Sequence, residues 1–305
     1  PWVPPFTSGL IPKQTGISRL GIRLAWEKIV IARKIRNLFF SMLLCRQDYF
    51  SLYKRLFLEC GFPFEEKIDW RRPFIIGIKE SKILSMNPSS LDFPRKYPPN
   101  CQYAPSRVDL NREDPMLNRR YARVMEEVCL QKQQRPDTKI IYCFSSTVMG
   151  FEKRSKIIFM KIRDICLRNP QFVFILSVGK YHNTSYLLPC PSNLYVFQQV
   201  PQLHLLSYCD LMITSGGMNS IAECIEKEVP MLVCPLSLKS DQLGNSARVV
   251  YHGLGLRARI KLDSSRTIEK RIVQLFENYA TFKRNLSMMR TKILAESTAI
   301  NTEVI

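Results

Sequence analysis

The feature that most constrains the fold is a rhythm that starts near residue 138. Short apolar runs recur along the chain: "TKIIYCF", "QFVFILS", "NLYVFQ", "DLMITS" and "VPMLVCP". Each is rich in β-branched and aromatic residues, and each is short enough for one strand. Between them lie segments with apolar residues at helical spacing: "EKRSKIIFMKIRDICLR", "VPQLHLLSYC" and "NSIAECIEK". "DQLGNSARVVYHG" follows, with Gly253 placed as a helix C-cap. "LGLRARI" reads as a last strand, and two helices finish the chain. Strands alternating with helices predict βαβ units and a parallel sheet, an α/β fold.

In such sheets ligands sit at the carboxyl ends of the strands. The polar loops all follow strands: "SSTVMG" (145–150), "QQVPQ" (198–202), "TSGGMNS" (214–220) and "PLSLKSDQ" (235–242). Gly216 and Gly217 leave room for a close ligand, and the helix behind them offers N–H groups and the positive end of its dipole. Ser215, Asn219 and Ser220 add side-chain donors, so the natural guest is a phosphate or diphosphate. The plainer reading is a tight turn with Asn219 or Ser220 as N-cap. No Walker lysine and no G-x-G-x-x-G accompany it. Glu223 lies one helical turn beyond Asn219, where a carboxylate suits ribose hydroxyls better than phosphate. Asp241 and Gln242 form a second hydroxyl-reading pair.

The first part of the chain is different. Residues 1–15 read as proline-rich loop and 17–60 as helical. "GFPFEEKIDWRRP" reads as a connection, "SKILSMN" as a short strand, and 88–115 as a linker rich in Pro, Asn, Ser and Arg. The opening "PWVPPF" looks like protein interior, so a longer natural chain is expected. Formal charge is +19 over 305 residues, which points to a polyanionic partner. Part of it is local: Lys13, Arg19, Arg23, Lys28, Arg33, Lys34, Arg36, Arg46, Lys54 and Arg55 stand against Glu27 and Asp48 within 13–55. Arg19, Arg23 and Glu27 share one polar helix face, which is either a solvated face or a contact for an anionic membrane. No helix-turn-helix, zinc-finger or RNP-type signal supports nucleic acid. No apolar run is long enough to cross a membrane. The ten cysteines show no C-x-x-C, and Cys143, Cys209, Cys224 and Cys234 fall in apolar runs. They read as free buried thiols of a reducing, cytoplasmic compartment.

The stretch "VPQLHLLSYCDLMITSGGMNSIAECIEKEVPMLVCPLSLKSDQLGNSARVVYHGLGLR" resembles the donor-binding signature of family 1 (UGT-like) glycosyltransferases, nearest the macrolide-type bacterial members. Pro201, Gln202, Thr214, Gly217, Asn219, Ser220, Glu223, Val229, Pro230, Pro235, Asp241, Gln242 and Asn245 keep its order. The resemblance implies a GT-B fold of two Rossmann-like domains with parallel sheets, the N-terminal one incomplete here. Residues 1–87 would be the last part of the acceptor-side domain, 88–118 the interdomain linker and 119–305 the donor-binding domain. By position, Val200 and Gln202 would lie near the base, and Ser215 through Ser220 would hold the diphosphate. Glu223 would take the ribose, and Asp241 and Gln242 the sugar. Ser146 and Thr147 would sit beside the phosphates. The implied activity is inverting, metal-independent transfer of a sugar from a nucleotide-diphosphate donor, a UDP-sugar, to a hydroxyl of a hydrophobic acceptor. The alternatives are a degenerate, membrane-associated nucleotide-sugar-binding subunit, or another GT-B enzyme such as an epimerase.

Four positions depart from the pattern. Ser215 replaces a histidine, Gln199 an aromatic and Glu228 a glycine, and the spacing from Pro235 to Asp241 is long. The family's general base, a histidine, belongs to a region preceding this sequence. Of His182, His204 and His252, only His182 falls in a loop after a strand.

Overall fold

A computed structural model describes residues 9–12, 16–69, 77–94, 101–103, 108–111, 118–144, 152–179, 183–237 and 240–303. The first part is helical. α1 (Gly16–Leu43) and α2 (Tyr49–Glu59) are two helices where the sequence suggests one continuous region. Cys45 and Arg46 take left-handed φ values of 47° and 60° between them, which reverses the chain. Asp48 then caps α2, accepting from the N–H groups of Phe50 and Ser51. The expected connection after it contains a single turn, α3 (Phe64–Lys67), and strand β1 (Ile68–Asp69), which pairs antiparallel with β2 (Gly77–Ile78). The "SKILSMN" strand is β3 (Ile83–Ser85), and it pairs parallel with β4 (Cys101–Tyr103) inside the expected linker.

From residue 119 the chain is doubly wound. α4 (Arg119–Gln134) comes first, a helix the strand-based reading passes over, capped by Asn118 accepting from the Tyr121 N–H. Then come β5 (Lys139–Phe144), α5 (Glu152–Arg168), β6 (Phe172–Ser177), β7 (Leu194–Phe197) and α6 (Gln202–Leu206). β8 (Leu211–Thr214), α7 (Met218–Glu226), β9 (Met231–Val233), α8 (Gln242–Tyr251) and β10 (Gly255–Arg257) follow, with α9 (Ser265–Glu277) and α10 (Tyr279–Glu303) last. The six strands form one parallel sheet in the order β10-β9-β8-β5-β6-β7.

Both faces of this sheet are buried, so its strands read as continuous apolar runs. Ile140, Tyr142, Val173, Ile175, Met212, Met231 and Val233 pack on one face against α4, α6, α7, α8 and α10. Ile141, Cys143, Phe174, Leu176, Ile213 and Leu232 pack on the other against α5 and α9. All ten cysteines are free, and Cys143, Cys166, Cys209, Cys224 and Cys234 are buried. Gly253 closes α8 at φ +63°: its N–H reaches the Val250 carbonyl and the Leu254 N–H the Val249 carbonyl.

Residues 89–92 are tied to this domain. Glu296 of α10 accepts from the N–H groups of Ser89 and Ser90 at 2.8 and 2.7 Å. Asp92 Oδ1 accepts from Arg248 Nε and Nη2 of α8 at 3.0 and 2.5 Å.

Candidate functional site

In a sheet of this order the strand order reverses between β5 and β8, and the crevice there is the expected ligand position. The loop after β5, with Ser146 and Thr147, lies outside the described residues. The loop after β8 is described, and it is the glycine turn.

Gly216 and Gly217 do different work. Gly216 has φ +87°, and a Cβ there would stand 2.7 Å from Val233 Cγ1. It is glycine because the turn requires it. Its N–H donates to Thr214 Oγ1 at 3.2 Å. Gly217 has ordinary extended angles, φ −65° and ψ 140°, and a Cβ there would meet nothing within 4 Å. Among the described residues neither backbone strain nor packing requires a glycine at 217. What the missing side chain leaves is open space in front of α7.

Gly217 is itself the N-cap of α7, and among the described residues no side chain is seen to cap that helix. Neither Asn219 nor Ser220 takes the capping role that the plainer reading assigns. The helix therefore starts with uncapped N–H groups and its positive dipole end, worth about 0.3–1 kcal/mol to an anion. Ser215 and Ser220 beside it are buried, while Asn219 is exposed. Asn219 lines a cavity of about 440 Å3 between residues 86–91 and 108–111, α7 and α10.

One turn on, Glu223 is 4 % exposed. Gln202 Nε2 donates to Glu223 Oε2 at 2.7 Å and to Ser220 Oγ at 3.3 Å. Gln202 Oε1 accepts from the Tyr142 hydroxyl at 3.1 Å. Burial pushes that hydroxyl well above the usual tyrosine range, so it stays a neutral donor. Tyr142 was not singled out from the sequence; its signal is a polar-tipped residue in the buried run "IIYCF". The structure thus brings Gln202, Ser220 and Glu223 together from two different helices.

The loop after β9 closes the other side. Asn245 Nδ2 donates to the Gly216 carbonyl and to Asp241 Oδ2, both at 2.9 Å, which links α8 to the glycine turn. Asn245 Oδ1 is buried and has no partner among the described residues. Gln242 Oε1 accepts from the N–H groups of Leu236 and Ser237 at 2.9 and 2.8 Å, so that oxygen holds the loop in shape. Asp241 is exposed at the start of α8. The Val200 side chain packs in the core against the α4 and α6 face of the sheet.

The two described histidines bond away from the Gln202–Glu223 pair. His204 Nδ1 meets the Tyr121 hydroxyl at 3.0 Å, and His252 Nε2 faces the carbonyls of Leu91 and Asp92. His182 lies outside the described residues.

A doubly wound parallel sheet with a glycine turn and a helix N-terminus at its switch point is the Rossmann-like arrangement that a GT-B fold uses. Comparison with known proteins agrees. Residues 183–295 match the family described as UDP-glucoronosyl and UDP-glucosyl transferase. The chain is 37 % identical over 98 residues to the NDP-glycosyltransferase YjiC of Bacillus subtilis, covering 32 % of this chain and 24 % of the relative. It is 34 % identical over 101 residues to a zeaxanthin glucosyltransferase of Pantoea ananas, covering 33 % and 22 %. The matched stretches span about a quarter of these relatives' length. Among solved structures, the glycotransferase of kitacinnamycin superposes with a TM-score of 0.61 at 20 % identity, over 87 % of this chain and 64 % of that one. The spinosyn rhamnosyltransferase SpnG, solved with thymidine diphosphate, gives 0.57 at 18 % identity, over 79 % and 62 %. These likenesses show the GT-B fold.

Proposed function

We propose that this chain binds the nucleotide-sugar donor, a UDP-sugar, of an inverting glycosyltransferase that glycosylates a hydroxyl of a hydrophobic acceptor. The observation that carries it is Gly217: a glycine that no contact among the described residues requires, facing open space at a helix N-terminus that none of their side chains is seen to cap. Ser215 through Ser220, with Ser146 and Thr147, hold the diphosphate. Glu223, braced by Gln202, takes the ribose hydroxyls, and the 200–202 segment borders the base. Asp241 and Gln242 face the sugar. Residues 119–305 form this donor domain, 88–118 the linker and 1–87 the acceptor side.

In the reaction the acceptor oxygen bonds the anomeric carbon from the face opposite the diphosphate. The anomeric C–O bond breaks, and a base takes the hydroxyl proton. The α7 N–H groups stabilise the departing diphosphate, the role a metal-independent mechanism assigns to them.

Calorimetric titration with UDP and with uridine tests the donor reading. UDP is expected to bind at a single site and at least tenfold more tightly than uridine. Equal affinity, or no UDP binding at millimolar concentration by folded protein, overturns it.

Membrane contact is the second part of this reading. Leu20, Leu24, Ile31, Ile35, Leu38 and Met42 are exposed and share one face of α1 by helical spacing, flanked by exposed Arg23, Lys28 and Lys34. No helix of the described residues is long and apolar enough to cross a membrane. An apolar stripe edged with cations fits the surface of an anionic bilayer. The protein is expected to sediment with phosphatidylglycerol vesicles and not with phosphatidylcholine vesicles; equal partition overturns the contact.

A further inference from the structure

At the β10 end of the sheet's carboxyl rim lies a second cavity, of about 450 Å3. It belongs to none of the residues assigned above to the donor. Pro235, Leu243, Ile260 and Leu262 form its apolar wall, and Arg154, Arg257, Arg259 and Lys261 stand around it. The volume is that of a small-molecule site.

The charges are poorly answered. Arg154 Nη1 donates to the Leu236 carbonyl, and Arg257 Nη1 donates to the Gly9 carbonyl at 2.7 Å. Neither guanidinium has a carboxylate partner among the described residues. Asp263 is the nearby acid, and its Oδ2 is already shared by Arg271 Nη1 and the Arg259 N–H. Arg259 itself reaches Asp263 Oδ1 only at 3.8 Å, with its side chain 68 % exposed. Burial, then Arg259 and Arg271, hold the Arg257 guanidinium below its usual range, the mark of a cation short of counter-charge. Residues 9–12, which touch this cavity through Gly9, contain no acidic side chain.

Apolar walls with four cations demand a ligand having both characters. We propose that this cavity binds an amphiphilic anion, a phosphate or carboxylate carried on a short apolar body, with Arg257, Arg259 and Lys261 holding the acid and Leu243, Ile260 and Leu262 the body. The cavity shares the loop between β9 and α8 with Asp241 and Gln242, so its ligand sits next to the proposed donor site without being part of it. The inference does not depend on the donor reading.

Octyl phosphate, octanol and inorganic phosphate are the probes, each titrated by calorimetry below micelle-forming concentration. One equivalent of octyl phosphate is expected to bind, at least tenfold more tightly than either octanol or inorganic phosphate. The exposed pair Arg259→Gln/Lys261→Gln is expected to weaken it at least fivefold, with the melting temperature and UDP response unchanged. Arg257→Gln gives a second, independent loss. Phosphatidylglycerol vesicles that displace the octyl phosphate identify a lipid headgroup as the natural source; vesicles that leave it bound identify a free amphiphile. Equal affinity for octanol, several equivalents bound, no binding at millimolar concentration, or undiminished affinity in both variants overturns the proposal.

Discussion

Arg248 Nη2 lies 2.5 Å from Asp92 Oδ1, and both side chains are at most 3 % exposed. The pair joins residues 156 apart in sequence. It fixes the segment after β3 to α8, the helix that carries Asp241, Gln242 and Asn245. The guanidinium also stacks on Phe93, 4.5 Å from its centroid, and donates to the Gly244 carbonyl at 3.1 Å. Tyr103 donates to Asp92 Oδ2 at 3.0 Å.

Removing one partner leaves the other charge buried and unanswered. Asp92→Asn is expected to destabilise the fold by about 3–5 kcal/mol. Replacing both, Asp92→Asn with Arg248→Met, is expected to recover a good part of that loss. Chemical denaturation of the three proteins checks this; a single variant as stable as wild type contradicts it.

His252 sits at the end of the same helix. Its Nε2 lies 3.1 Å from the Leu91 carbonyl and 3.3 Å from that of Asp92, and since carbonyls only accept, Nε2 carries the proton. Burial lowers its pKa from 6.5, and Lys292 and Arg248 lower it further. The unfolded chain therefore takes up this proton first as pH falls. The histidine's contribution is complete above about pH 6.5, declines toward the folded pKa, and levels off below it. The slope in that window is at most about 1.4 kcal/mol per pH unit. Melting temperatures from pH 8 to 5 are expected to fall more steeply in wild type than in His252→Gln; parallel curves contradict the assignment.

Glu228 occupies the family's glycine position at φ +53°. It is the left-handed residue that closes α7: its N–H reaches the Ile225 carbonyl and the Val229 N–H that of Cys224. A side chain there costs about 1–2 kcal/mol. Its ion pairs with Arg290 and Lys283, at 3.8 and 3.9 Å, are long and partly exposed, and return at most about 1 kcal/mol. Glu228→Gly is expected to raise the melting temperature, and a lower one contradicts this account of the turn.

The sheet was legible because both its faces are buried: "IIYCF" and "FVFILS" leave little besides a central strand. The strand-to-helix turn around Gly216 and Gly217 was legible, but the division of labour between its glycines was not. That depends on where Val233 stands, and β9 reaches it only in three dimensions. α4 was hidden by its mostly polar composition, "RRYARVMEEVCLQKQQ", running straight on from the linker. Its inward stripe of Tyr121, Met125 and Val128 is narrow. The Asp92–Arg248 pair could not be read at all, since neither residue has a local reason to be buried. Gln202 was placed by its motif, yet its bond to Glu223 shows that the two form one unit.

Gly217→Ala tests the central claim most directly, because the structure gives it no other consequence. The backbone there suits alanine, and among the described residues the new methyl meets no atom within 4 Å beyond its chain neighbours. UDP titration and thermal melting of wild type and Gly217→Ala should be run side by side. The account predicts one UDP site in wild type, affinity at least tenfold weaker in the variant, and an unchanged melting temperature. Equal UDP affinity in the two proteins would contradict the placement of the diphosphate at α7.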